Sequence, residues 1–117
     1  MFFKDEYHQQ LADKLMKKFG FQTLEDDREY GSFCYVASAT YKENQLLKVA
    51  DPSGVDLDVL NEQLSVYSNS ERAMIRFALQ LFSSDLDDIT IPEVMRSLDE
   101  QNEKVIVQAI QFRYKMN

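Results

Sequence analysis

The sequence predicts an all-α fold, a compact bundle of five to six helices formed by one domain over residues 1–117. Three observations carry that expectation. Near the start, Phe3, Tyr7, Leu11, Leu15 and Phe19 recur at steps of four, the period of one helix face. In the second half, Ser68-Asn69-Ser70-Glu71 and Thr90-Ile91-Pro92-Glu93 each place a hydroxyl three residues before a glutamate, the capping-box spacing that opens a helix. No linker, low-complexity tract or internal repeat separates these segments. Their unequal lengths favour an orthogonal bundle over a strict four-helix bundle.

The first helix covers residues 3–19, with Ala12 and Met16 flanking its stripe. Lys17 and Lys18 suit its C-terminal dipole, and Gly20 suits the position just past its end. Thr23 or Asp26 then opens a second helix, whose apolar stripe is Tyr30, Phe33, Cys34, Ala37 and Tyr41. Gly31 and the run Ala37-Ser38-Ala39-Thr40 make it thin enough for a neighbour to approach closely. A short helical turn around Leu46 and Leu47 leads into Asp51-Pro52-Ser53-Gly54, a turn signal. Residues 55–60 read two ways, because Val55, Leu57 and Val59 alternate with aspartates while Leu57, Leu60, Leu64 and Tyr67 keep helix spacing. Helix is preferred. The alternative is a minor strand pair near residues 55–59 and 89–91, since Ile89-Thr90-Ile91 is the one segment able to partner a strand there.

From Ala73 to Phe82 only Arg76 and Gln80 are polar. With Arg72 they form a single polar stripe on an otherwise apolar cylinder, which marks this as the central helix. Thr90 starts a further helix with Pro92 tolerated in its first turn. After a break at Ser97 or Asp99 a last helix carries Val105, Ile106, Ala109, Ile110, Arg113 and Tyr114, although Val105-Ile106-Val107 leans towards strand.

With 44% hydrophobic and 28% charged residues the chain is too apolar for disorder. Folding at this length buries about two-thirds of the surface, enough for a core without disulfides or metal. The net charge of −7 is unevenly spread: seven acids lie between Asp85 and Glu103 against one base, Arg96. Such a field opposes phosphate backbones, so nucleic acid is not expected as a direct partner. Cys34 is the only cysteine, which excludes an intramolecular disulfide and fits a reducing compartment. Acids stand at residues 5 and 6, where a signal peptide needs an apolar run, and no stretch has the length of a membrane span. The expectation is a cytoplasmic, soluble protein with no membrane partner.

His8, the only histidine, reads as a residue at the margin of the apolar stripe, because no second His or Cys completes a metal or acid–base site. Cys34 lies on the inner stripe of its helix and reads as a small hydrophobe. Asp85-Leu86-Asp87-Asp88 lacks the glycine and the spacing of a calcium loop and reads as a solvated acidic loop. The three glycines are far apart, which excludes a phosphate-cradling loop, and no serine sits in a nucleophile elbow. No catalytic residue, cofactor or metal ligand is assigned.

Arg28, Arg72, Arg76 and Arg113 are more informative. Arginine on a largely buried helix usually has a carboxylate partner, and Glu29 or Asp27 is the expected one. Arg28, Glu29, Arg72, Arg76 and Arg113 are therefore a candidate ion-pair cluster, with an anion-binding site as the alternative. Six tyrosines cannot all be central. Tyr35 lies off the main stripe of the second helix, and Tyr35, Tyr41 and Tyr67 form a candidate interface.

Four stretches carry a resemblance: Met1-Phe2-Phe3-Lys4-Asp5-Glu6 with His8, Asp27-Arg28-Glu29-Tyr30, Arg76-Phe77-Ala78-Leu79-Gln80-Leu81-Phe82, and Ala109-Ile110-Gln111-Phe112-Arg113-Tyr114. Together they resemble a small family of uncharacterised helical proteins of Gram-positive bacteria and their phages. The resemblance implies a bacterial or prophage accessory protein and no catalytic residues.

Three functions fit these residues. The first is a non-enzymatic interaction protein, a homodimer or a binder of another protein, which requires an exposed apolar patch. The second is an acidic regulator or nucleic-acid-mimicking decoy of a basic partner, which requires the acids of residues 85–103 to share a face. The third is a ligand-binding domain or enzyme with a pocket lined by Arg28, Arg72, Arg76 or His8. A helix-turn-helix built from the helices after Ser68 and Thr90 is opposed by the charge.

Overall fold

The structure, a computed structural model, describes residues 1–115. Among these, α1 (Glu6–Lys18), α2 (Arg28–Ser38), α3 (Glu43–Val49), α4 (Leu57–Gln63), α5 (Asn69–Phe82), α6 (Ile91–Arg96) and α7 (Glu100–Arg113) follow in order, with 3-10 turns at Leu24–Asp26 and Leu64–Val66. The fold is the all-α bundle that the sequence predicts. Seven helices form rather than five or six because the short segments 43–49 and 57–63 each complete nearly two turns.

Most helix starts are set by one side chain. Asp5, Asp27, Asp56 and Asp99 accept the N–H of the residue three positions on, and Ser68 and Thr90 close their capping boxes with Glu71 and Glu93. Thr23 and Asp26 form a third box around the turn 24–26, so α2 opens only after Asp27. Gly20, at φ +99°, ends α1; its N–H and that of Phe21 donate to Lys17 and Met16 carbonyls. The first helix starts three residues later than its periodicity suggests. Asp5 caps it, and residues 2–4 instead run back over α2.

The minor strand pair exists but lies elsewhere. Ala50–Asp51 (β1) and Gly54–Val55 (β2) form an antiparallel hairpin pairing Ala50 with Val55, and Asp51 with Gly54. Asp51 Oδ1 accepts both the Ser53 N–H and hydroxyl, and Gly54 takes φ +130°. Residues 57–63 are helical, and 89–91 cannot pair as a strand. The Ile89 carbonyl accepts from Gln80 Nε2, and Thr90 is committed to capping α6. Val105-Ile106-Val107 is likewise helical, inside α7.

The central helix is α2, not α5. Every residue from Gly31 to Ser38 is buried, covered by α1, α5 and α7. The physical reason is charge: none falls between Glu29 and Lys42. Its hydroxyls need no outside partner, since Ser32, Ser38 and Thr40 donate to the carbonyls of Arg28, Tyr35 and Ala37. Helix α5 buries Met74, Ile75, Phe77, Ala78, Leu79 and Leu81 but keeps Arg72, Arg76 and Gln80 at its edge.

Candidate functional site

The five residues of the expected ion-pair cluster separate into two sets. Where α2 begins and α7 ends, Arg28 Nη1 donates to the Phe112 carbonyl and lies over the Phe112 ring. Arg113 Nε donates to the Leu81 carbonyl, while its Nη2 lies 4.0 Å from Glu29 Oε1. Arg72 and Arg76 stand apart, on α5. Asp27, one expected partner, is spent on capping α2. Glu29, the other expected partner, pairs with Arg113, while backbone carbonyls and the 83–90 loop supply the remaining partners.

Asp87 is the residue that Arg76 holds. Arg76 Nε lies 3.1 Å from both Asp87 oxygens and Nη2 lies 3.0 Å from Oδ1, which pushes the guanidinium pKa up. Asp87 Oδ1 also accepts the Ile89 N–H, and Gln80 Nε2 donates to the Asp87 and Ile89 carbonyls. The polar stripe of α5 thus ties down the loop expected to be a solvated acidic one. Only Asp88 of the pair extends into solvent. Asp87→Ala is expected to cost about 1.5 kcal/mol and to lower the melting temperature by about 6 °C. Asp88→Ala should leave it unchanged, and equal losses from the two variants would contradict this account.

The tyrosines also divide. Tyr35 is wholly buried, its hydroxyl donating to the Phe2 carbonyl at 2.6 Å, and Tyr67 is nearly so, its hydroxyl 3.3 Å from Gln63 Oε1. Neither is on a surface. Tyr35 lies off the main stripe of α2, but the N-terminal segment covers that side, with the Phe3 ring 5.6 Å from Tyr35. Of the three candidate interface tyrosines only Tyr41 is exposed, at 36%, stacked on Tyr7 and donating to Asp5 Oδ2.

His8 is not at a margin either. It is fully buried against Phe3 and Tyr35, with Nδ1 accepting the Lys4 N–H at 3.1 Å. Nδ1 must therefore be bare, so Nε2 carries the proton and donates to the Tyr35 carbonyl at 2.8 Å. Burial lowers its pKa, and both nitrogens are engaged in holding the chain together. Cys34 is buried as its stripe position predicts, and desolvation pushes its thiol well up.

The feature that the sequence reading missed is a groove of about 440 Å³ between α6, α7 and the N-terminal segment. Phe2, Met95 and Val107 are its apolar lining; Glu100, Glu103 and Lys104 are its charges. Its origin lies in Val105-Ile106-Val107. Successive helical residues turn by about 100°, so three in a row sweep about 200° and cannot all face one core. Val105 and Ile106 are fully buried, and Val107 is left 48% exposed in the groove. Phe2 is placed there by its N–H, which donates to Gln108 Oε1, and by the Tyr35 hydroxyl on its carbonyl. Lys104 lies 6.0 Å from the Phe2 ring centre and 3.8 Å from Glu100. The unmatched apolar run was the signal available in the sequence.

Among the described residues no three His, Cys, Asp or Glu side chains come together to hold a metal ion, and no helix is long and apolar enough to cross a membrane. Fold and surface define a class only, a helical bundle with an open, acid-rimmed apolar groove. Neither family models nor curated proteins nor solved structures match the chain.

Proposed function

We propose that this protein is a non-enzymatic interaction module that receives an amphipathic helix with basic flanks in the groove between α6 and α7. The observation that carries the reading is Val107, a large apolar side chain half exposed beside Phe2 and Met95 in a concave site. Charge selects the occupant. Glu100 and Glu103 line the groove against a single Lys104, and the whole chain carries −7. A second copy meeting groove to groove would oppose these acids to themselves, which argues against self-association through this face. A basic partner relieves the same charge, so this reading absorbs the acidic-regulator hypothesis.

The test is site-specific photo-crosslinking in the protein's native cells, from position 107 and from Val66, which is 72% exposed outside the groove. Position 107 is expected to capture a basic protein through a helical segment, in a complex that Val107→Glu abolishes and that raising salt weakens. Crosslinks only between copies of the chain, or equal capture from both positions, would overturn it.

A further inference from the structure

We propose that the cleft between α5 and α6 binds a small phosphate monoester. This site is independent of the groove. Its cavity of about 340 Å³ brings together Arg72 and Arg76 from α5, Arg96 from α6, the apolar Ala73 and Ile89, and Glu93. Three of the chain's five arginines thus line one cavity in a protein of net charge −7. On α5, Arg76 lies three residues after Ala73 and four after Arg72, which sets the three side by side on one face, and residues 93 and 96 share the facing stripe of α6.

Arg72 is held in place without being used up. Arg72 Nε donates to the Leu64 carbonyl at 3.0 Å and Nη2 to the Tyr67 carbonyl at 3.2 Å. These bonds fix the guanidinium plane and leave its charge uncompensated: among the described residues no carboxylate lies within 4.0 Å of Arg72 or Arg96. Arg72 is half-buried, and a guanidinium so placed ordinarily ends on a carboxylate, so an anion is the missing partner. Arg76 shares its charge with Asp87 and Asp88 and adds a third guanidinium to the wall.

Glu93 is the opposing charge in the wall. Its Oε1 accepts the Thr90 N–H and hydroxyl at 3.2 and 2.9 Å, which engages that oxygen at the start of α6. The geometry selects among anions. A carboxylate presents its oxygens in one plane, whereas donors here come from two facing helices, which suits a tetrahedral group. Ala73 and Ile89 give the ester's carbon body an apolar surface.

The test is amide NMR of the purified chain, titrated at constant ionic strength with inorganic phosphate and with butyl phosphate. Saturable shifts are expected at Ala73 and Ser97, with butyl phosphate binding more tightly than inorganic phosphate. Arg96→Gln should weaken binding about tenfold, the scale of one charge-assisted pair. Glu93→Gln should tighten it, because glutamine still accepts from Thr90 and preserves the capping box while the opposing charge is gone. Both positions are exposed, so both variants retain the fold. Shifts that do not saturate, or affinities insensitive to both substitutions, would overturn the site. Butyl phosphate binding no tighter than inorganic phosphate would overturn the monoester assignment.

Discussion

Gly31→Ala is expected to lower the melting temperature by about 8 °C, one of the two largest effects that the fold implies. A Cβ at residue 31 would lie 2.3 Å from the Leu24 carbonyl oxygen and 2.9 Å from Phe112 Cε1. The nearer neighbour is backbone and cannot withdraw cheaply. Leu24 belongs to the boxed turn 24–26, and the Phe112 ring packs against Arg28. Overpacking of this kind costs about 1–3 kcal/mol, against a gain of up to about 1 kcal/mol from replacing glycine within a helix. A backbone oxygen as the nearer obstacle places the loss at the upper end, for a net of about 2 kcal/mol. The substitution therefore reports whether the turn and α7 truly close on α2. Adding Phe112→Ala should not restore stability, because the closer contact remains. An unchanged melting temperature for Gly31→Ala by circular dichroism would show that α2 is not so enclosed.

The second large effect is a loss of stability as pH falls below about 6.5, driven by His8. In the folded chain burial holds its pKa below the ordinary value, with Lys4 adding to that and the Tyr35 carbonyl and Asp5 opposing it. The unfolded chain binds the proton first. Stability is accordingly complete above the unfolded value and declines as pH drops towards the lowered folded one, with a slope approaching about 1.4 kcal/mol per pH unit. Geometry gives the same sign, since a proton on Nδ1 would expel the Lys4 N–H that it accepts. Asp5, Asp26, Asp51 and Glu93 are held below their ordinary values and so act at lower pH. Asp13, whose carboxyl burial pushes up, acts with the opposite sign, so the part due to His8 is read from the difference between the native chain and the His8→Gln variant between pH 6.5 and 5. His8→Gln, able to accept from Lys4 and donate to Tyr35, should flatten the melting profile there. A flat profile for the native chain would remove the basis of this prediction.

The helix starts were legible because their determinants are local. A capping aspartate or serine acts on an N–H three residues away, so Ser68, Thr90 and Asp99 announce α5, α6 and α7 without knowledge of the rest. The turn at Asp51-Pro52-Ser53-Gly54 is legible for the same reason. The sites were less so. Arg76 could be picked out by its place on an apolar helix, but its partner Asp87 could not, because the 83–90 loop folds back to reach it. Arg96 and Val107 do not stand out as site residues in the sequence, each being ordinary until α6 and α7 are set against α5 and the N-terminus.

By itself, then, the sequence determined an α-helical chain, the ends of most helices and the inward face of α5; the stripes expected for the first two helices included Tyr7 and Tyr41, which are exposed. Hydrogen-bond caps and helical period act over three or four residues, and so are written into the local sequence. Tertiary structure alone decided which helix is central, which tyrosines are inside and where cavities remain. Those are questions of how many sides of a residue are covered, and the cover comes from distant segments. Tyr35 and His8 are sealed only because Phe2, Phe3 and Lys4 return across α2, and α2 is the hub only because α1, α5 and α7 close on its small, uncharged surface.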